Sequence, residues 1–352
     1  MKGLFTKLCC AVLIVLSGNS IAEEFYEYER MWPNLPQPWY FGKINDGIIL
    51  DSEEVLITDG LANNNSGVFI RLTKNGNLIS KHRLRDDNRE FDGNCLYRPY
   101  MGNLAGQILK HSGYIYIYYY RNNCLDGEGN TSGLVKYTQQ LDFVDYTPLN
   151  GLYEKSLNNA KLELEISDNN IFATFDAYTT DPDNRRVFIK FDIEGNNVLE
   201  KKVNNLGGDG VSNVWSMKYY NGNLYLAGNN NDNCVLDENF EVLASQFEGI
   251  TCGAQAINIF DNKLYIFTRS ASDVTFASSP KVIKYDLETK TIVWEKDYSD
   301  FPFWTEGGSG AAAIEVNSLG ISLITLQGIL KLTNDGEVTG FFGAQGFKQG
   351  YF

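Results

Sequence analysis

An internal repeat constrains this chain more than any other feature. Each copy reads as an alternating strand, a tight turn and a second strand rich in Tyr, Ile, Leu and Val. A loop follows, then a third strand of the form Val-x-Ile-Lys-Tyr-Asp, a polar turn and a fourth strand. The first turns align at Ser52-Glu53, Ser112-Gly113, Asp168-Asn169, Asn221-Gly222, Asp261-Asn262 and Asn317-Ser318, spaced 60, 56, 53, 40 and 56 residues apart. Asn, Asp and Gly at such points supply the positive φ that tight hairpins demand. The third strands fall at 68–72, 134–137, 187–191, 234–236, 282–285 and 329–332, and each runs into Thr or Asp. A lone four-stranded meander cannot cover both of its faces, whereas meanders packed around an axis cover one another and leave only short edges. Six copies therefore predict an all-β chain, a six-bladed β-propeller of four-stranded antiparallel blades. A seventh anchor is absent, and six near-equal periods do not suit two packed sheets. Residues 25–28 and 347–352 are the segments that could close the ring.

Composition agrees with this reading. The chain carries 33 Gly, 21 Tyr and 21 Phe but only 4 Met and 2 His, a profile of strands and turns. A net charge of −14 leaves no excess cation to meet phosphates, which argues against nucleic-acid partners and anionic membrane surfaces. The first residues read as an address. Lys2 and Lys7 precede an apolar run over 8–16, and Ser20-Ile21-Ala22 places small residues at a cleavage site. A signal peptide over 1–22 and a single propeller domain over 23–352 are expected, with the product secreted or periplasmic. The apolar run is too short to span a bilayer, and no other stretch is suited to membrane insertion.

Four cysteines follow the leader: Cys95, Cys124, Cys234 and Cys252. An even count in an exported chain suggests two disulfides, for which three pairings exist. In a propeller, the loop between strands two and three shares a face with the loop that joins one blade to the next. Cys95 and Cys124 then fall on one face of one blade, and Cys234 and Cys252 on the same face of another, so sequential pairing is favoured over the two alternatives.

That face also collects the long loops, over 86–103, 121–133, 176–186, 229–233, 269–281 and 298–310. Long loops on a rigid scaffold are where binding usually resides. The residues suited to partner contact are Arg98, Tyr100, Arg121, Tyr178, Arg185, Arg269 and Trp304, because aromatic and Arg anchors are enriched in interfaces. For any single one of them, packing between blades is the competing and simpler reading.

Catalytic signals are sparse, and no catalytic residue is assigned. No metal or cofactor is expected. Asp86-Asp87-Asn88 with Glu90 and Asp92, Asp126-Gly127-Glu128 and Asp181-Pro182-Asp183-Asn184 offer oxygen ligands suited to Ca²⁺, but solvated acidic loops explain them as well. His82 and His111 cannot furnish a three-histidine zinc site. No Gly-x-Ser-x-Gly elbow occurs, and Gly207-Gly208-Asp209-Gly210 lacks the lysine of a P-loop. The inner strands would bring Gln107, Glu163, Trp215, Gln255 and Ala312 to the channel mouth, a set with a single acid.

The first repeat is similar to an NHL-type repeat. The matching residues are Gly47-Ile48-Ile49-Leu50-Asp51, Val55-Leu56-Ile57-Thr58-Asp59, Asn63-Asn64-Asn65 and Val68-Phe69-Ile70-Arg71-Leu72, with Tyr28-Glu29-Arg30-Met31-Trp32-Pro33 resembling the lead-in of exported bacterial members. The resemblance covers 28–76 and implies a propeller that binds other molecules. Two functions follow as expectations: a non-catalytic module recognising a protein or glycan through its loop-rich face, or a calcium-dependent, lactonase-like hydrolase.

Overall fold

The computed structural model describes residues 40–41, 44–60, 67–83, 96–99, 107–122, 131–152, 162–176, 186–203, 214–228, 234–244, 247–250, 254–269, 280–298, 311–325, 328–342 and 344–345. They form six antiparallel blades in chain order, each a simple meander whose four strands pair in sequence. Blade 1 comprises Ile44–Ile49, Val55–Gly60, Gly67–Leu72 and Leu78–Arg83. Blade 2 comprises Ile108–His111, Tyr114–Asn122, Thr131–Tyr137 and Phe143–Pro148. Blade 3 is Leu162–Ile166, Asn170–Asp176, Arg186–Asp192 and Asn197–Lys202. Blade 4 is Val214–Tyr220, Asn223–Gly228, Cys234–Asp237 and Val242–Ala244. Blade 5 is Ala254–Phe260, Lys263–Arg269, Pro280–Asp286 and Thr291–Asp297. Blade 6 is Ala311–Asn317, Gly320–Thr325, Gly328–Leu332 and Val338–Phe342. The all-β, six-bladed expectation is met.

Two departures from the simple repeat stand out. Leu96–Pro99 pairs with the far half of the long second strand of blade 2, extending that sheet beyond its inner strand. Among the described residues each blade is completed by consecutive strands, and none takes a strand from the other end of the chain. Tyr40–Phe41 and Ala344–Gln345 form a separate two-stranded sheet. The segments 25–28 and 347–352, expected to close the ring, lie outside the described residues.

Local chemistry accounts for the turns. The third strand of each blade ends in Thr or Asp, whose side chain accepts a backbone N–H from the turn that follows. Thr73 accepts from Asn77, Thr138 from Asp142, Asp192 from Asn196, Asp237 from Glu241, Asp286 from Thr289 and Thr333 from Glu337. These turns place Gly76, Leu141, Gly195, Phe240 and Gly336 at positive φ. Every outer strand also carries a one-residue bulge against the third strand. A bulge twists an edge away from foreign strands. That protects edges whose apolar pairs, such as Leu78-Ile79 and Val242-Leu243, face solvent.

The core lies between blades. One cluster joins Leu109, Tyr116 and Leu134 of blade 2 to Ile171, Ile189 and Phe191 of blade 3. Another joins Phe172 and Phe188 of blade 3 to Met217, Leu226 and Phe240 of blade 4. Interleaved β-branched and aromatic residues on both faces of a sheet therefore become core only once neighbouring blades stack.

Candidate functional site: the axial channel

The innermost strands run side by side around the axis without a shared backbone ladder. Their edge groups need other partners, and side chains supply them from blade to blade. Asp46 of blade 1 accepts the backbone N–H of Ile108 in blade 2, at 2.8 Å, and that of its neighbour Gly47, also at 2.8 Å. Gln107 of blade 2 clasps Leu164 of blade 3 with both ends of its amide, each at 2.7 Å. The Ser216 hydroxyl of blade 4 accepts from Ile257 N–H of blade 5. Asn258 of blade 5 donates to the Ile314 carbonyl and to the Glu315 carboxylate of blade 6, at 2.9 and 3.1 Å. Glu315 in turn accepts from the backbone of Ile49 in blade 1, closing the circuit.

One level of this circuit is charged. Register places Glu165, Lys218, Asn258 and Glu315 at equivalent inner-strand positions of blades 3 to 6, each opposite the second-strand residue Phe172, Tyr225, Tyr265 or Ser322. Ile48 and Leu109 hold the same position in blades 1 and 2. Lys218 Nζ lies 3.4 Å from Glu165 Oε2. Burial lowers the affinity of Lys218 for its proton, but the charges of Glu165, Glu315 and Asp46 overcome this and hold it above the usual lysine range. Burial pushes the carboxyls of Glu165 and Glu315 up against the opposing pull of Lys218. Asp46 is pushed up to about 7 by burial, against the pull of its two backbone donors and of Lys218. Three acids thus share the ammonium of Lys218 at the axis.

A pH dependence follows. An unfolded Asp titrates near 3.8 and the folded one near 7, so the folded state keeps a proton that the unfolded state has already lost. Stability contributed by Asp46 should be fullest below about pH 4, fall as pH rises towards 7 and level off beyond. Chemical denaturation across this range should show the decline, and Asp46→Asn should make it shallower. An unchanged slope in the variant would assign the decline to other groups.

The residues expected at the channel mouth are present but busy. Gln107 is the clasp just described, and Glu163 pairs in register with Thr174. Trp215, Gln255 and Ala312 occupy equivalent bulge positions near the start of their strands, as Asn45 does in blade 1. Asp46, Glu165, Lys218 and Glu315 were not singled out from the sequence, although one signal was present: a charged residue interrupting the apolar alternation of an inner strand.

Of the suspected partner contacts, Arg98, Arg121 and Arg269 stand in strands rather than in the loops expected for them. Arg98 lies on Leu96–Pro99 opposite Tyr120, and Arg121 on the paired strand opposite Tyr97, so the two arginines stand one register step apart in one strand pair. The cause is the extended second strand of blade 2, which continues past its inner partner. Arg269 ends the second strand of blade 5 opposite Pro280. Tyr100, Tyr178, Arg185 and Trp304 lie outside the described residues. Arg186, next to Arg185, is fully buried and donates to the Thr174 hydroxyl at 3.3 Å. Cys234 is buried on the third strand of blade 4, whereas Cys95, Cys124 and Cys252 lie outside the described residues, as do the acidic loops considered for Ca²⁺. His111 pairs with Asp168 of blade 3 at 3.2 Å. No group of three or more metal-ligating side chains occurs among the described residues.

Fold and channel together define a six-bladed propeller whose axis holds a buried lysine among three acids. No protein-family model and no curated protein sequence matches the chain. Among solved structures it is similar to the WD40 domain of Neurospora crassa Pan2, with a TM-score of 0.50 and 10% identity over 87% of this chain and 81% of that one. It also aligns with a chain of a mitotic checkpoint complex, at a TM-score of 0.46 and 8% identity over 86% and 80% of the two chains. A computationally designed protein, Ika8, aligns at a TM-score of 0.40 and 11% identity over 86% of this chain and 97% of its own. The Pan2 likeness supports the propeller fold.

Proposed function

We propose that this chain is an exported, non-catalytic recognition module that binds a protein or glycan through the face opposite its short turns. The observation that carries the reading is the asymmetry of the two faces. Every described turn between strands one and two, and between strands three and four, is short, and the latter close on their own Thr or Asp side chains. Connections long enough to shape a site all leave from the other end of the blades. Propellers of the WD40 type commonly mediate protein binding, which favours a protein over a glycan. The NHL-like first repeat and the leader over 1–22 support an exported binding protein.

The calcium-dependent hydrolase reading is less favoured on one observation. The axial acids Asp46, Glu165 and Glu315 share the ammonium of Lys218, which offsets part of their charge without a metal ion. Arg121→Ala and Trp304→Ala should weaken binding about tenfold or more, the scale of one interface anchor. Asn221→Ala and Asp261→Ala, on the short-turn face, should leave it unchanged. The measurement is binding of the secreted chain to glycan and surface-protein arrays, beside a lactone-hydrolysis assay with Ca²⁺. Binding lost through the Asn221 or Asp261 changes, or calcium-dependent turnover, would reject the proposal. Secretion should yield a chain starting at Glu23 in which Cys95–Cys124 and Cys234–Cys252 are bridged, read by non-reducing peptide mapping.

A further inference from the structure

An asparagine followed by glycine is prone to lose its side-chain amide, because glycine has no side chain to shield its backbone nitrogen. The chain has three such pairs: Asn75-Gly76, Asn150-Gly151 and Asn221-Gly222. All three asparagines are exposed, and the glycines all have positive φ, at +84°, +78° and +78°. Sequence alone therefore does not rank them. Their surroundings do, because the reaction needs a glycine N–H that can give up its proton and a turn that can bend into a cyclic imide.

At Asn75-Gly76 neither condition is met. Gly76 is buried, its N–H donates to the Thr73 carbonyl at 2.9 Å, and its open side faces the Phe342 ring of blade 6. Asn77 N–H on the Thr73 hydroxyl, at 3.0 Å, holds the same turn. At Asn221-Gly222 the two residues are the whole hairpin, since Tyr220 pairs directly with Asn223. Gly222 is uncrowded, but Asn221 itself stands at φ +49° and Gly222 N–H donates to the Tyr219 hydroxyl. An N–H engaged with an oxygen acceptor holds its proton more firmly. Asn150-Gly151 differs from both. It follows the outer strand of blade 2, and both residues are exposed. Gly151 N–H has no acceptor among the described residues, and nothing lies within 4 Å of its open side. The turn is closed by Leu152 N–H on the Leu149 carbonyl, at 3.1 Å. The Asn150 amide makes a long contact, 3.5 Å, with Asn196 Oδ1 of blade 3.

We propose that Asn150-Gly151 is the Asn-Gly pair that deamidates in the folded protein. The Gly151 backbone nitrogen attacks the side-chain carbonyl carbon of Asn150. A new C–N bond forms, the side-chain amide C–N bond breaks, and the proton of the attacking nitrogen leaves with ammonia. Water then opens the cyclic imide to aspartate or isoaspartate. Either product puts a carboxylate beside Asn196 Oδ1, while the Asn196 amide nitrogen already serves Asp192 at 2.9 Å. Isoaspartate also lengthens the main chain where Asn150 N–H reaches the Gly195 carbonyl of blade 3 at 3.1 Å. The test incubates the full chain at mildly alkaline pH, native and in urea, and reads conversion at the three pairs by peptide mass mapping. In the native chain Asn150 should convert about fivefold faster or more than Asn75 and Asn221, the factor set by one net hydrogen bond at the attacking nitrogen. In urea the three rates should converge. Gly151→Ala should slow conversion at Asn150 and leave the other two pairs unchanged. Equal native rates, Asn75 or Asn221 converting first, or an Asn150 that stays an amide would overturn the proposal. So would unchanged conversion in Gly151→Ala, or a ranking that persists in urea, because the fold would then not be what selects the pair.

Discussion

Lys218→Met should destabilise the protein by about 2–3 kcal/mol at neutral pH. The variant removes the ammonium shared by Glu165, Glu315 and Asp46 and leaves three buried acids without it. Stripping one partner from a fully dry ion pair costs about 3–5 kcal/mol. The smaller figure applies because the Lys218 side chain retains 27% exposure, so water screens part of the charge left behind. The pH profile identifies the cause. With Lys218 gone, the three carboxyls should bind protons more readily, and much of the loss should be recovered as pH falls towards 5. A cavity left by an ill-fitting methionine would cost the same at both pH values. Urea denaturation at pH 5 and pH 8 separates the two, and a loss independent of pH would show that Lys218 acts only by filling space.

Gly195→Ala should be the more damaging of two glycine changes with nearly the same backbone. Gly195 has φ +85° and Gly222 has φ +78°, a region in which a side chain costs about 1–2 kcal/mol. Around Gly222 nothing lies within 4 Å of an added Cβ, so Gly222→Ala should cost about 1 kcal/mol. At Gly195 the added carbon would collide with the carbonyl oxygen of Pro148 in blade 2. It would also part the hydrogen bond by which Asn150 N–H reaches the Gly195 carbonyl at 3.1 Å. The seam between blades 2 and 3 must then shift, and a total near 3 kcal/mol or more is expected. Equal losses in the two variants would mean that backbone strain alone is at work. The comparison also tests the ring geometry, since the Pro148 contact exists only if blade 3 stacks on blade 2 in this register.

The sequence by itself determined the number of blades, their strands and their turns. Those are local properties: a two-residue alternation, a Thr or Asp that can accept a turn N–H, and a residue tolerating positive φ repeat six times. The Thr138 turn was legible in this way although it departs from the Asp of blades 3 to 5. The face carrying the short turns was legible too, because antiparallel meanders leave only one choice. Tertiary structure decided what the axis contains. Asp46, Glu165, Lys218 and Glu315 each lie 53 to 119 residues from the next in the chain, and nothing in their own strands states that they converge. Only ring closure brings them within electrostatic reach. It likewise decided that Arg98 and Arg121 belong to one strand pair, since a loop and a strand extension look alike until the partner strand is known.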